Sequence, residues 1–149
     1  MLRTALAVAV ATALLGISLP VIDSARVTHA ETSVETALGR LDTAASELAA
    51  TSDPLPASAD GARRQHVLRL PRGSWGSASL AELRFPPPDS QQKPTWRVTG
   101  GQWARMTTSV SLVGPPDGLT LTEGGRQRVE LTLQRRDGDV VVVIARPDV

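Results

Sequence analysis

The sequence predicts an α+β fold in which a long amino-terminal helix, apolar first and amphipathic second, packs on a carboxyl-terminal antiparallel β-sheet. Three observations predict it. Residues 5–22 are eighteen positions without a charge. From Val27 to Leu48 the apolar residues keep a heptad spacing. Beyond residue 61 the apolar period changes to two, with Gly and Pro turn signals between the runs.

At about 1.5 Å per residue, the eighteen-residue run covers about 27 Å, close to the roughly 30 Å hydrocarbon core of a bilayer. Ala5, Leu14, Leu15, Ile17 and Ile22 are its anchor residues, and Pro20 sits near its far end, where a kink or a helix exit costs least. Arg3 precedes the run, and Asp23 and Arg26 follow it, which favours the amino terminus inside the cell and the bulk of the chain outside. The alternative is a cleaved secretory signal, with a basic region at residues 1–4, an apolar region at 5–15 and Thr28-His29-Ala30 as the small-residue cleavage site. Against it, Ala30 belongs to a helical pattern that continues on both sides.

That pattern places Val27, Val34, Leu41 and Leu48 at one heptad position and Ala30, Ala37 and Ala44 three residues later. Leu38 and Ala45 widen the stripe, while Glu31, Glu35, Arg40, Asp42 and Glu47 fall outside it. Such a face needs a partner, either another helix or the chain's own sheet. The sheet is preferred, because residues 140–144 are apolar at every position and a strand of that kind needs both faces covered. Thr51-Ser52-Asp53-Pro54 ends the helix, since Pro54 disfavours helical backbone at Asp53.

Residues 53–61 then read as a linker. His66, Leu68 and Leu70 alternate with Val67 and Arg69 in a first strand, and Ala81, Leu83 and Phe85 alternate with Glu82 and Arg84 in a second, stopped by Pro86-Pro87-Pro88. Trp96 and Val98 lead into Gly100-Gly101, and Trp103 begins a returning arm that is expected to reach Val113. Leu119 and Leu121 make a short strand. Val129, Leu131 and Leu133 form the outgoing arm of a last hairpin, which turns at Asp137-Gly138 and returns through residues 140–145. The chain thus divides into an anchor or signal-like segment at 1–22, an amphipathic helix at 23–52, a linker at 53–61 and an antiparallel β domain at 62–149.

Composition excludes several classes of function. Cysteine is absent, so disulfides and thiolate metal sites are ruled out. The formal charge is +1, and the basic residues are interspersed with Asp and Glu rather than clustered among stacking aromatics, so no nucleic-acid surface is expected. His29 and His66 have no ligands at metal spacing beside them, no Gly-x-Ser-x-Gly elbow is present, and the Gly pairs lack the strand-to-helix setting of a phosphate loop. No catalytic, cofactor or metal residue is assigned, and no small-molecule substrate is evident. Trp96 and Trp103 are candidates for a partner patch, although aromatics on alternating strands are more often core. Arg63-Arg64 and Arg135-Arg136 read as solvated turn charges.

The order of parts, an apolar then amphipathic helix followed by a β-sheet, resembles the type IV pilin and pseudopilin class. The peptidase site of that class, a basic residue and Gly before the apolar run, is absent at Arg3-Thr4, and the fifth position of the run, Ala9, is not Glu. The stretches Ala-Leu-Leu-Gly-Ile-Ser-Leu-Pro at 13–20, Arg40-Leu41-Asp42-Thr43-Ala44-Ala45 and Asp60-Gly61-Ala62-Arg63-Arg64 resemble an uncharacterised haloarchaeal family of small membrane-anchored proteins. The genes of that family are similar in setting to those of secretion or archaellum-type ATPases. These resemblances imply a non-enzymatic single-pass membrane protein with its carboxyl-terminal domain outside, serving an envelope assembly through protein partners. The alternative is an exported soluble β-domain binding module with a cleaved signal peptide.

Overall fold

The computed structural model describes residues 1–56, 59 and 61–147, with the side chains of residues 17–20 outside that description. The anchor side chain of Ile17, linker residues 57, 58 and 60, and the last two residues of the β domain, 148 and 149, therefore lie outside the described residues. Helix α1 spans Leu2–Thr51 as one element of 50 residues, about 75 Å long. The helix continues through Pro20, in line with the expected single long helix, although a kink or exit would cost least there. A proline removes one backbone hydrogen bond, and the bonds on either side hold the helix together. Ser52 is extended, with φ −132° and ψ 147°, so the helix ends just ahead of Asp53-Pro54, as the sequence predicts.

The strands are β1 (Leu55–Pro56), β2 (Arg63–Leu70), β3 (Arg72–Ser74), β4 (Ser77–Phe85), β5 (Thr95–Val98), β6 (Ala104–Arg105), β7 (Ser111–Val113), β8 (Leu119–Leu121), β9 (Gly125–Arg136) and β10 (Asp139–Ala145). One sheet runs β1-β9-β10-β7, with β2 also paired to β9; the other runs β3-β4-β5-β6, with β8 paired to β4. The chain crosses from the first sheet to the second at Pro71, whose carbonyl accepts the Leu80 amide at 2.9 Å. Gly124 packs against that carbonyl so closely that a Cβ would lie 2.2 Å from it, so no larger residue fits there. The last hairpin turns with positive φ at Asp137 (50°) and Gly138 (89°), the primed turn that the Asp-Gly pair favours.

The first sheet is mixed rather than purely antiparallel, whereas every pair in the second is antiparallel. β1 runs parallel to β9, with Leu55 opposite Gln134, and β7 runs parallel to β10, with Val113 opposite Val143. The predicted linker thus contributes a short strand. The returning arm after Trp103 is also shorter than expected: β6 stops at Arg105, the Met106 amide turns to the Pro94 carbonyl at 2.8 Å, and Met106 enters the core. The following loop is tied to the helix instead. Asp42 accepts from the Ser109 amide at 2.8 Å through Oδ1 and from its hydroxyl at 2.7 Å through Oδ2, taking the donor that a longer strand would use.

Helix on sheet is the arrangement found. Val34, Leu41 and Leu48, together with Ala30, Ala37, Leu38, Ala44 and Ala45, are buried in one core with Leu68, Leu83, Phe85, Val129, Leu131 and Ile144, and Val27 packs at its edge. The helix lies chiefly on β4 and β2, then on β5. The helix does not cover the second face of β10, contrary to what the run at 140–144 led one to expect. Val142 and Ile144 face the shared core, whereas Val141 and Val143 form a separate apolar cluster with Val113. The second face of β10 thus shares an apolar cluster with Val113 of the adjacent β7 rather than lying beneath the helix.

Candidate functional site

The amino-terminal half of α1 projects beyond the core. Ala5, Leu14, Leu15 and Ile22 are exposed, as are Leu2, Leu6, Val8, Val10 and Val21. An 18-residue window of this helix has a mean hydropathy of 2.3, and none of it is buried by the rest of the chain. Water would meet an apolar cylinder with few polar groups. The Thr12 hydroxyl is satisfied internally, donating to the Val8 carbonyl at 2.8 Å, so it can enter hydrocarbon without leaving a donor unpaired. Length and composition make this segment a candidate membrane span or signal sequence.

Past Ile22 the helix meets the domain. Arg26 donates from Nη2 to the Ser74 carbonyl at 2.9 Å, and its Nη1 lies 3.6 Å from Asp23 Oδ1. Arg26 Nε is buried without a partner. These contacts border a groove of about 580 Å³ between the helix and the β3–β4 hairpin, lined by Asp23, Ser24, Arg26, Ser74, Ser79 and Thr99 among others. The Val27 side chain fills one end of it beside Gly100 and Gly101.

The three tryptophans occupy different settings. Trp96 is 3% exposed and belongs to the core, so it cannot share a surface patch with Trp103, which is 45% exposed. Trp103 lies against two guanidinium groups, with Arg84 4.7 Å and Arg97 5.0 Å from the ring centroid. Trp75 is 90% exposed at the tip between β3 and β4. The sequence offered a signal for it, since Gly73-Ser74-Trp75-Gly76 has the composition of a turn, where a large ring has nothing to pack under.

His29 and His66, far apart in sequence, line one groove of about 390 Å³ with Thr32, Thr36, Arg40 and Arg69. Burial and then the Arg64 charge hold the His66 pKa below its ordinary 6.5. No Asp or Glu lines this groove, and no group of three or more His, Cys, Asp or Glu able to hold a metal ion occurs among the described residues. Its donors suit an anion better than a cation. Three of the four paired arginines are engaged as surface ion pairs: Arg64 with Glu47 at 2.8 Å, Arg63 with Glu130 at 3.6 Å and Arg136 with Asp89 at 3.6 Å.

The chain belongs to the family described as a domain of unknown function, DUF7311, which matches it over residues 1–147. No curated protein and no solved structure matches the chain.

Proposed function

We propose that this member of an uncharacterised family is a non-enzymatic, single-pass membrane protein of the cell envelope, with residues 5–22 in the bilayer and the β domain outside. Its role is that of a pilin-like or pseudopilin-like subunit or accessory of a type IV pilus or secretion-type assembly, where it meets protein partners. The haloarchaeal setting implied by the sequence resemblance belongs to the same proposal. One observation supports it: a single helix is apolar and exposed at its described positions along its first part and buried in a sheet core along its second. A secretory cut after Ala30 fits this poorly, because Val27 and Ala30 would be removed from a core that they help to close.

Mass spectrometry of the native amino terminus, combined with membrane fractionation under alkaline carbonate, tests the reading. Retention of residues 5–22 in an integral-membrane fraction is expected. A soluble extracellular protein beginning at Glu31 would overturn it in favour of the exported binding module. Crosslinking in intact cells tests the assembly role, which predicts adducts with envelope proteins.

A further inference from the structure

We propose that Trp75 is a second membrane contact, inserted into the lipid headgroup layer beside the point where α1 leaves the bilayer. The inference rests on the reading of residues 5–22 as a membrane span. From there it follows from the position of the β3–β4 tip.

Ile22 is the last residue of the charge-free run, and Arg26 follows four residues later, a rise of about 6 Å along the helix. The polar layer on each side of a bilayer is about 5–7 Å thick, so Arg26 stands at its outer boundary. The Arg26 guanidinium bonds the Ser74 carbonyl at 2.9 Å and lies 3.6 Å from Asp23, one turn nearer the apolar run, so the bond holds the hairpin tip on the membrane side of that boundary. Trp75 is the next residue. Trp75 is 90% exposed, so the described residues of the domain leave its ring uncovered. The tip is a short turn, with Ser74 opposite Ser77 and Gly73 at φ 84°, so the ring is presented by a defined turn.

An indole suits this layer better than bulk water or hydrocarbon: its ring buries apolar area while its N–H bonds to headgroup or glycerol oxygens. Arg26 and the exposed Arg72 add positive charge at the same end, with Asp23 partly offsetting Arg26. Two attachments, the helix and the tip, fix the rotation of the domain about the helix axis as well as its height.

The test uses the full chain reconstituted in phosphatidylcholine vesicles that contain lipids brominated at either shallow or deep acyl positions. Wild type is compared with Trp75→Ser, which leaves the core Trp96 and the Arg-flanked Trp103 in place. The difference emission, which belongs to Trp75, is expected to be blue-shifted and to be quenched more by shallow than by deep bromines. It is also expected to be several-fold less accessible to aqueous iodide in vesicles than in the urea-unfolded chain. If the protein floats with the vesicles while the Trp75 signal stays red-shifted, iodide-accessible and untouched by either brominated lipid, this proposal is overturned and the anchor stands. If the protein fails to float, the anchor reading falls and takes this proposal with it.

Discussion

Shortening the chain to begin at Asp23 or at Glu31 separates a helix that belongs to the domain from one that merely precedes it. The longer fragment keeps the whole packing stripe. The shorter loses Ala30, which is fully buried, Val27, which packs against Gly100 and Gly101, and the bond from Arg26 to Ser74. Burying an Ala methyl contributes about 0.8 kcal/mol, a partly buried Val about 1 kcal/mol and a net hydrogen bond about 1 kcal/mol. The sum, about 3 kcal/mol, is roughly a hundredfold in the folding equilibrium and a large share of the 5–15 kcal/mol typical of a domain. Urea unfolding of the two fragments, followed by circular dichroism, measures the difference. The 23–149 fragment is expected to unfold at clearly higher urea. Equal midpoints and slopes would falsify the reasoning that the helix between residues 23 and 30 is part of the folded core, and would reopen cleavage after Ala30.

Other outcomes follow from the same packing. Leu41→Ala, at a fully buried position in the middle of the stripe, is expected to cost about 3–5 kcal/mol in the 23–149 fragment, whereas Leu14→Ala in the full chain in detergent should leave the β domain's unfolding midpoint unchanged. Asp42→Ala removes both bonds to Ser109; a loss of about 1–2 kcal/mol and faster amide exchange at Ser109 are expected, measured by denaturation and hydrogen exchange. His66 has its pKa lowered in the folded state, so the unfolded chain binds the proton more readily. Stability should therefore be flat above pH 6.5 and fall as pH drops from there toward the folded value, and His66→Gln should flatten that decline in urea midpoints taken from about pH 8 to about pH 5.

The parts of this fold that were legible in the sequence are those set by local periodicity. The heptad from Val27 to Leu48 is buried residue for residue, except for partly covered Val27, because a helix face has one way to satisfy that spacing. The Asp137-Gly138 turn and the alternation around it were equally plain, since turn chemistry and register both lie within a few residues. Non-local pairing was not legible. Leu55-Pro56 has no strand signature and pairs only because β9 presents Gln134 and Arg135 beside it. Residues 111–113 look like the continuation of a hairpin until Asp42, on a different element, claims the Ser109 amide. The tryptophans show the same divide. Trp96 lies on β5 with its ring in the core, whereas Trp103 precedes β6 and lies against Arg84 and Arg97, contacts with other elements that no local spacing encodes.

In the proposed membrane-anchored role, the junction between Ile22 and Val27 matters more than either half of the helix. An exposed apolar helix joined by a flexible tether would leave the domain free to turn relative to the membrane. Here the first turn after the run is already engaged: Arg26 is bonded to Ser74, and Val27 is packed against the turn after β5. Each residue inserted after Ile22 would rotate the domain by about 100° and raise it by about 1.5 Å relative to the apolar segment. On the proposed anchoring, such insertions would lift Trp75 out of register with the headgroups and turn the face that the domain presents to partners. An assembly built through this domain should therefore lose function on insertion of one to three alanines after Ile22, even though the β domain stays folded and the apolar run stays intact. Retained assembly across that series would show that partners are chosen without reference to the membrane, which the bonded junction argues against.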